Sequence, residues 1–96
     1  MLHIPNKYVN DLKTILKWHL EFYSPDFFFD TRIKRILERI ENNDAVELEE
    51  KELYYICECA SNAKNYAPEC GVERSVAEEI FDWIYPIYQK TKTQQK

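Results

Sequence analysis

Residues 44–67, DAVELEEKELYYICECASNAKNYA, form the most informative stretch of this sequence. Its apolar and small residues recur at spacings of three and four, so they share one side of an α-helix. They are Leu53, Ile56, Cys57, Ala60, Ala63 and Ala67. Asp44 and Glu47 have the spacing of a capping box, in which side chains satisfy free N–H groups at a helix start. We predict a helix over residues 45–67, with alanines that permit close approach of a neighbouring helix.

The same periodicity occurs in three further stretches, separated by residues that interrupt helices. The breaks are Ser24-Pro25, Asn42-Asn43-Asp44 and Pro68-Glu69-Cys70-Gly71. The four predicted helices span residues 6–23, 25–41, 45–67 and 72–88. Amphipathic helices joined by short breaks favour an all-α, compact four-helix bundle with antiparallel neighbours. Pro25 and Pro86 disturb long straight helices, so an irregular four-helix arrangement stays open.

Pro86 lies inside the apolar stripe of the last predicted helix. A proline in a helix interior removes one backbone hydrogen bond and costs about 3 kcal/mol. We therefore predict a kink or an end near Tyr85. Residues 90–96 contain no apolar side chain, so we assign residues 1–89 to a single helical domain and expect 90–96 to be a frayed polar tail.

Charge is unevenly distributed along the chain. The formal net charge is −4, but residues 38–82 contain thirteen acidic and four basic residues, a net charge of −9. A negative field repels nucleic acid and anionic lipid, and it speeds association with a basic partner. Ordinary solubility is the competing explanation. The basic cluster at residues 32–39 is expected to form intramolecular ion pairs rather than a nucleic-acid site.

The expected localisation of the protein is the cytoplasm. No stretch is long and apolar enough to span a membrane, and the first residues lack the pattern of a signal peptide. Three cysteines, an odd number, in a chain without an export signal are typical of reduced thiols.

Several kinds of catalytic site are excluded or disfavoured. The chain has one glycine, whereas Gly-rich phosphate loops and the Gly-x-Ser-x-Gly elbow each need at least two. Cys57 and Cys59 point to opposite sides of a helix, so a shared zinc ion is disfavoured. His19 lies on an apolar stripe without a nucleophile or acid at a recognisable spacing, which indicates a core histidine. We predict no metal, no cofactor and no enzymatic activity.

A second side of the third helix carries the candidate binding residues. Its tyrosines recur at helical spacing opposite the apolar side, with glutamates beside them. Such amphipathic aromatic anchors with a polar rim are concentrated in protein interfaces. Glutamates in the first turn are either stabilised by the helix dipole or part of an electrostatic docking patch. The predicted partner-binding residues are Tyr55, Cys59, Asn62, Tyr66, Glu58, Glu69, Glu47 and Glu50.

The alternative is that this helix is central and buried on both sides. Whether a side chain is buried or exposed is equally open for four other aromatic residues. They are Trp18 and Phe22 at one edge of the first helix, and Phe27 and Phe28 beside the apolar stripe of the second. If several of these aromatic side chains are exposed, they form a surface that a partner covers.

Two segments, ELYYICEC at residues 52–59 and VERSVAEEI at residues 72–80, resemble the last helices of helical immunity proteins that neutralise tRNase toxins. Small size, acidity and helical patterning also resemble cytosolic immunity proteins against bacteriocins and contact-dependent-inhibition toxins. The resemblance implies a protein that blocks a toxin's active site with acidic and aromatic side chains. It contains no diagnostic motif, so no functional residue is transferred.

Three function hypotheses follow. In the first, the chain neutralises a basic partner such as a nuclease toxin, because an acidic cap imitates the polyanion that the toxin binds. In the second, it is a phage-type or regulatory inhibitor that mimics nucleic acid. In the third, it is a self-associating helical adaptor domain. In each case the partner is a protein rather than nucleic acid or a membrane, and the chain is a monomer or a homodimer.

Overall fold

The computed structural model describes residues 2–23, 26–42 and 47–94 of the chain. The elements in these ranges are β1 (Leu2–His3), α1 (Asn6–Phe22), α2 (Phe27–Asn42), β2 (Glu47–Leu48), α3 (Glu50–Tyr66) and α4 (Arg74–Gln94). The predicted all-α, four-helix architecture is confirmed. None of the described helices is both long and apolar enough to cross a membrane.

The connection from α1 to α2 brings two phenylalanines into an exposed first turn. Asp26 lies immediately before α2, and its Oδ1 accepts a hydrogen bond from the Phe29 N–H at 2.7 Å. This N-cap satisfies an N–H group that has no partner within the helix. Phe27 and Phe28 follow the cap and are exposed. The predicted start at Pro25 lies outside the described residues.

The start of α3 differs from the prediction. Glu47 and Leu48 form β2, which pairs antiparallel with β1 in the register Leu2 to Leu48. The helix predicted over residues 45–67, with Glu47 in its capping box, is therefore wrong at residues 47–48, while residues 44 and 45 lie outside the described residues. Leu48 is fully buried. Burial of this side chain and pairing of its backbone stabilise the extended segment in place of a further helical turn.

A capping interaction does exist, but five residues later. The Glu49 N–H donates to Oε1 of Glu52 at 2.8 Å, and the same oxygen accepts a hydrogen bond from the Arg39 guanidinium of α2. The Glu52 side chain is almost fully buried. One carboxylate thus both starts α3 and links it to α2.

Helices α3 and α4 pack antiparallel and form the most extensive helix pair of the described chain. Tyr54 pairs with Tyr88, whereas the Lys64 ammonium lies over the Phe81 ring, so later residues of α3 meet earlier residues of α4. The fully buried small residues of the two helices are Ala60, Ala63 and Ala77. Their burial confirms the expectation that alanines permit close packing here.

Helix α4 continues past Pro86 to Gln94. The predicted end near residue 88 is wrong, and residues 90–94 belong to the helix rather than to a polar tail. Pro86 provides no N–H for the Asp82 carbonyl, and both residues lie on the exposed side of the helix. Ile87 and Tyr88 pack against the core and hold the helix beyond the proline.

The turn between α3 and α4 packs closely against α1. Gly71 has a φ of +96°, a left-handed conformation that other residues rarely adopt. A Cβ at this position would lie 2.6 Å from Cγ2 of Thr14 in α1. The buried Cys70 thiol donates to the Ala63 carbonyl at 3.5 Å and ties the turn to α3.

Candidate protein-binding surface

A continuous row of aromatic side chains crosses from the end of α1, over the start of α2, to α3 and α4. Adjacent ring centroids are 5.0–6.4 Å apart, within the range in which aromatic rings attract one another. We call this row the aromatic band, and its members are Trp18, His19, Tyr23, Phe29, Tyr54, Tyr55, Tyr66 and Tyr88. Because all four helices contribute, the fold as a whole positions the band.

Much of this region is open to solvent. Tyr23, Tyr54 and Tyr66 are exposed members of the band, and the exposed fraction of Tyr66 is 44%. The phenylalanines Phe22 and Phe27 at the α1–α2 connection are more exposed still, with 85% for Phe27. Single apolar residues at a surface need no explanation, whereas neighbouring exposed rings indicate a surface that associates with another molecule.

The exposed part of the band has an acidic border. Glu69 lies beside Tyr66, and Glu58 and Asp26 lie close enough to Tyr54 to act on its ionisation. Partial burial, followed by the negative charge of Glu58, raises the pKa of Tyr54. Neither Glu58 nor Glu69 forms an ion pair with a described residue. These carboxylates are therefore available to a basic group from outside.

The middle of the predicted α3 stripe does not face a partner. Cys59 is completely buried, so its assignment as a partner-binding residue is wrong. The stripe packs against α1 and α2, because Asn62 Nδ2 lies 3.2 Å from His19 Nε2 and the Tyr55 ring lies 5.0 Å from Phe29. Burial raises the pKa of Cys59 well above its ordinary value. The alternative of a helix buried on two sides holds for this part of α3.

The predicted residues do not form one surface. Glu47 and Glu50 are exposed near the start of α3, whereas Tyr66 ends the helix. A helix rises 1.5 Å per residue, which places Glu50 about 24 Å from Tyr66 along the axis. Glu50 instead lines a cavity with residues of β1, β2 and α4. Tyr66 and half-buried Tyr55 belong to the aromatic band, Glu58 and Glu69 lie at its border, and half-buried Asn62 lies beneath it.

Sequence reasoning missed two exposed members of the band. Tyr23 is the last residue of the first predicted helix, and its position next to a helix break indicates an end that can open to solvent. Tyr54 was not assigned to either side of the third helix. Tyr54 and Glu58 are four residues apart and share a helix face, so an acid beside an aromatic residue was the available signal.

His19 is a buried structural residue. It is fully buried, and its ring is stacked on Phe29 at a centroid distance of 5.3 Å and tilted against Tyr23 at 5.1 Å. Burial lowers the pKa of His19 below its ordinary value of 6.5, and the Asp30 carboxylate opposes part of that shift. The ring is neutral at pH 7 and joins α1 to α3 through Asn62, which matches the predicted core histidine.

A groove opens where the exposed band meets the acidic border. It has a volume of about 340 Å³ and lies between the end of α1 and the end of α3. The lining residues are Trp18, Phe22, Tyr23, Tyr66 and Glu69. Four aromatic side chains and one carboxylate make it an apolar site with a negative edge.

The basic residues of α2 contact other groups of the chain. The Arg39 guanidinium pairs with Glu52, which confirms the expected intramolecular ion pair for this residue. The Arg32 guanidinium lies 5.1 Å from the centre of the Phe28 ring. Among the described residues, no group of three or more His, Cys, Asp or Glu side chains could hold a metal ion.

No protein family, curated protein or solved structure matches this chain. The function is therefore inferred from the surface itself.

Proposed function

We propose that this chain binds a basic protein through the exposed aromatic band and its acidic border, and that it neutralises this partner as an immunity protein or antitoxin neutralises a nuclease toxin. The observation that carries the proposal is the set of exposed rings in the aromatic band, bordered by Glu58 and Glu69. Tyr23 and Tyr66 contact each other, and half-buried Phe29 and buried His19 connect them to exposed Tyr54. Tyrosine suits such a surface because it offers a large, rigid contact area and a polar hydroxyl.

Charge supports a basic partner. The chain has a net charge of −4, and the carboxylates at the band are not neutralised by described basic residues. A further exposed acidic face on α4 contains Glu78, Glu79 and Asp82. Negative charge of this kind steers a positively charged protein toward the surface and raises its association rate. A nuclease carries a basic site because it binds phosphates, so an acidic cap can occupy that site.

The proposal is tested by capture from the source cell's extract on the tagged chain, followed by an activity assay. We expect recovery of a basic protein at low salt, its release as salt is raised, and loss of its nuclease activity when the chain is added back. Tyr66→Ala should abolish capture, whereas Tyr85→Ala should not. Tyr85 is a matched control because it is 42% exposed but contacts Phe81 rather than the band.

Other results of this experiment would support one of the two alternative functions. A captured nucleic-acid-binding protein without nuclease activity favours the regulatory inhibitor that mimics nucleic acid. Recovery of the chain alone, with a mass that rises with concentration in light scattering, favours the self-associating adaptor. Both results contradict neutralisation of a toxin.

A further inference from the structure

The groove at the edge of the aromatic band has the electrostatic character of a cation site. It lies where two helices end, because α1 ends at Phe22 and α3 at Tyr66. The C-terminal end of a helix carries a partial negative charge from its aligned peptide dipoles. The Glu69 carboxylate adds a full negative charge at the same place. Three negative features of independent origin therefore converge on one apolar groove.

Nearby lysines of the chain do not fill this groove. The Lys64 ammonium, in the last turn of α3, lies 4.2 Å from the centre of the Phe81 ring on α4. The Lys17 ammonium, one residue before Trp18, lies 3.0 Å from a carboxylate oxygen of Glu41. Both cations are held by other groups, and no described lining residue of the groove is basic.

The walls of the groove suit a flat cation. Trp18 and Tyr23 are stacked, with 27° between their planes, and Tyr66 lies 5.6 Å from Trp18. A guanidinium group is planar, stacks on aromatic faces and pairs with a carboxylate through two parallel hydrogen bonds. An ammonium group is a strongly hydrated point charge that gains less from such walls. We propose that this groove receives an arginine side chain of the partner, an inference that rests on the proposed function.

The test uses short peptides and needs no partner protein. The ¹⁵N-labelled chain is titrated with acetyl-Gly-Arg-Gly-amide and with its lysine and citrulline counterparts, and NMR shifts are followed. We expect saturable shifts of the Trp18 indole N–H and the Glu69 amide with the arginine peptide. The lysine peptide should bind at least about threefold more weakly, and the neutral citrulline peptide should not bind. The Trp83 indole, packed against Tyr8, is an internal control.

A matched pair of variants tests whether the Glu69 carboxylate binds the arginine peptide. Glu69→Gln should weaken the arginine peptide by about three- to tenfold, whereas Glu38→Gln removes the same charge at an exposed position of α2 outside the groove lining and should leave binding unchanged. Absence of saturable shifts at Trp18, or equal binding of the lysine peptide, would overturn the arginine assignment.

The arginine site and the toxin-neutralising function can be contradicted by different results. Peptide binding at the groove without capture of a basic protein contradicts the toxin-neutralising function and leaves the arginine site in place. If the wild-type chain and Glu69→Gln inhibit a nuclease with equal affinity, the proposed function is supported. The groove at Glu69 then does not bind an arginine of that nuclease.

Discussion

The Asn62 side-chain amide on α3 lies 3.2 Å from Nε2 of His19 on α1, beneath the exposed rings of the aromatic band. The next residue before His19 is Trp18, and Tyr66 is one helical turn after Asn62. Buried His19 and half-buried Asn62 thus join the two helix segments that carry Trp18 and Tyr66, whose ring centroids are 5.6 Å apart. This polar contact links the ends of α1 and α3 that carry the exposed rings of the aromatic band.

The buried histidine makes the stability of the fold depend on pH. Burial lowers the pKa of His19, so the unfolded chain binds more protons than the folded chain near and below pH 6.5. The free energy of unfolding should consequently fall as pH drops through 6.5, and this contribution is fully present above it. In urea unfolding at several pH values, the free energy of unfolding of His19→Gln should depend less on pH than that of the wild type. The same substitution at exposed His3 should leave the wild-type dependence unchanged.

The Glu52 carboxylate should contribute to stability through both of its contacts. Glu52→Gln removes the charge that pairs with Arg39 and weakens the acceptor for the Glu49 N–H. Since Glu52 is almost fully buried, we expect the free energy of unfolding to fall by about 1–3 kcal/mol. Glu47→Gln, at an exposed position of β2, is the control and should change it by less than about 0.5 kcal/mol. Equal effects of the two substitutions would contradict the role of Glu52.

The turn before α4 should not accept a side chain at Gly71. Gly71→Ala forces an L-residue to a φ of +96° and places its Cβ 2.6 Å from Cγ2 of Thr14. We expect a loss of about 1–3 kcal/mol in the free energy of unfolding. Combining it with Thr14→Ser removes the crowded methyl group and should recover part of this loss, but not the part due to φ. No recovery would show that steric crowding against α1 is not involved.

The three cysteines should react slowly in the folded protein. All three are buried, and burial raises the pKa of Cys57 and of Cys59, so little reactive thiolate is present. A thiol reagent that gives a coloured product should label them at the rate at which the structure opens, and much faster in urea. Rapid labelling of any of the three thiols in the native protein would contradict the burial of that cysteine.

Local periodicity predicted the helices because apolar residues three and four apart share a helix face whatever lies beside them. The same information does not identify the neighbour that covers a face. Tyr55, Cys59, Asn62 and Tyr66 do share one side of α3, but α1 and α2 cover its middle and leave only the end at Tyr66 open. The strand at Glu47 was missed because two residues are too few to show the alternation of apolar and polar side chains that predicts a strand. Its pairing partner, β1, is also distant in the sequence.

Pro86 illustrates a tertiary effect that overrides a local preference. The proline predicted an interruption, and the intrinsic cost of about 3 kcal/mol applies to any helix interior. Packing of Ile87 and Tyr88 against the core stabilises the turn that follows. The length of α4 could therefore be obtained only from the packing of the whole fold.

The central claim is that a basic protein binds at the exposed rings of the aromatic band. It is tested most directly by calorimetric titration of the captured basic protein with Tyr54→Ala/Tyr66→Ala and, as a control, Tyr85→Ala, once circular dichroism shows that both variants are folded. Loss of two aromatic anchors should weaken binding by about a hundredfold or more, whereas the control should stay within about twofold of wild type. Equal affinities of the folded double variant and wild type would contradict the claim.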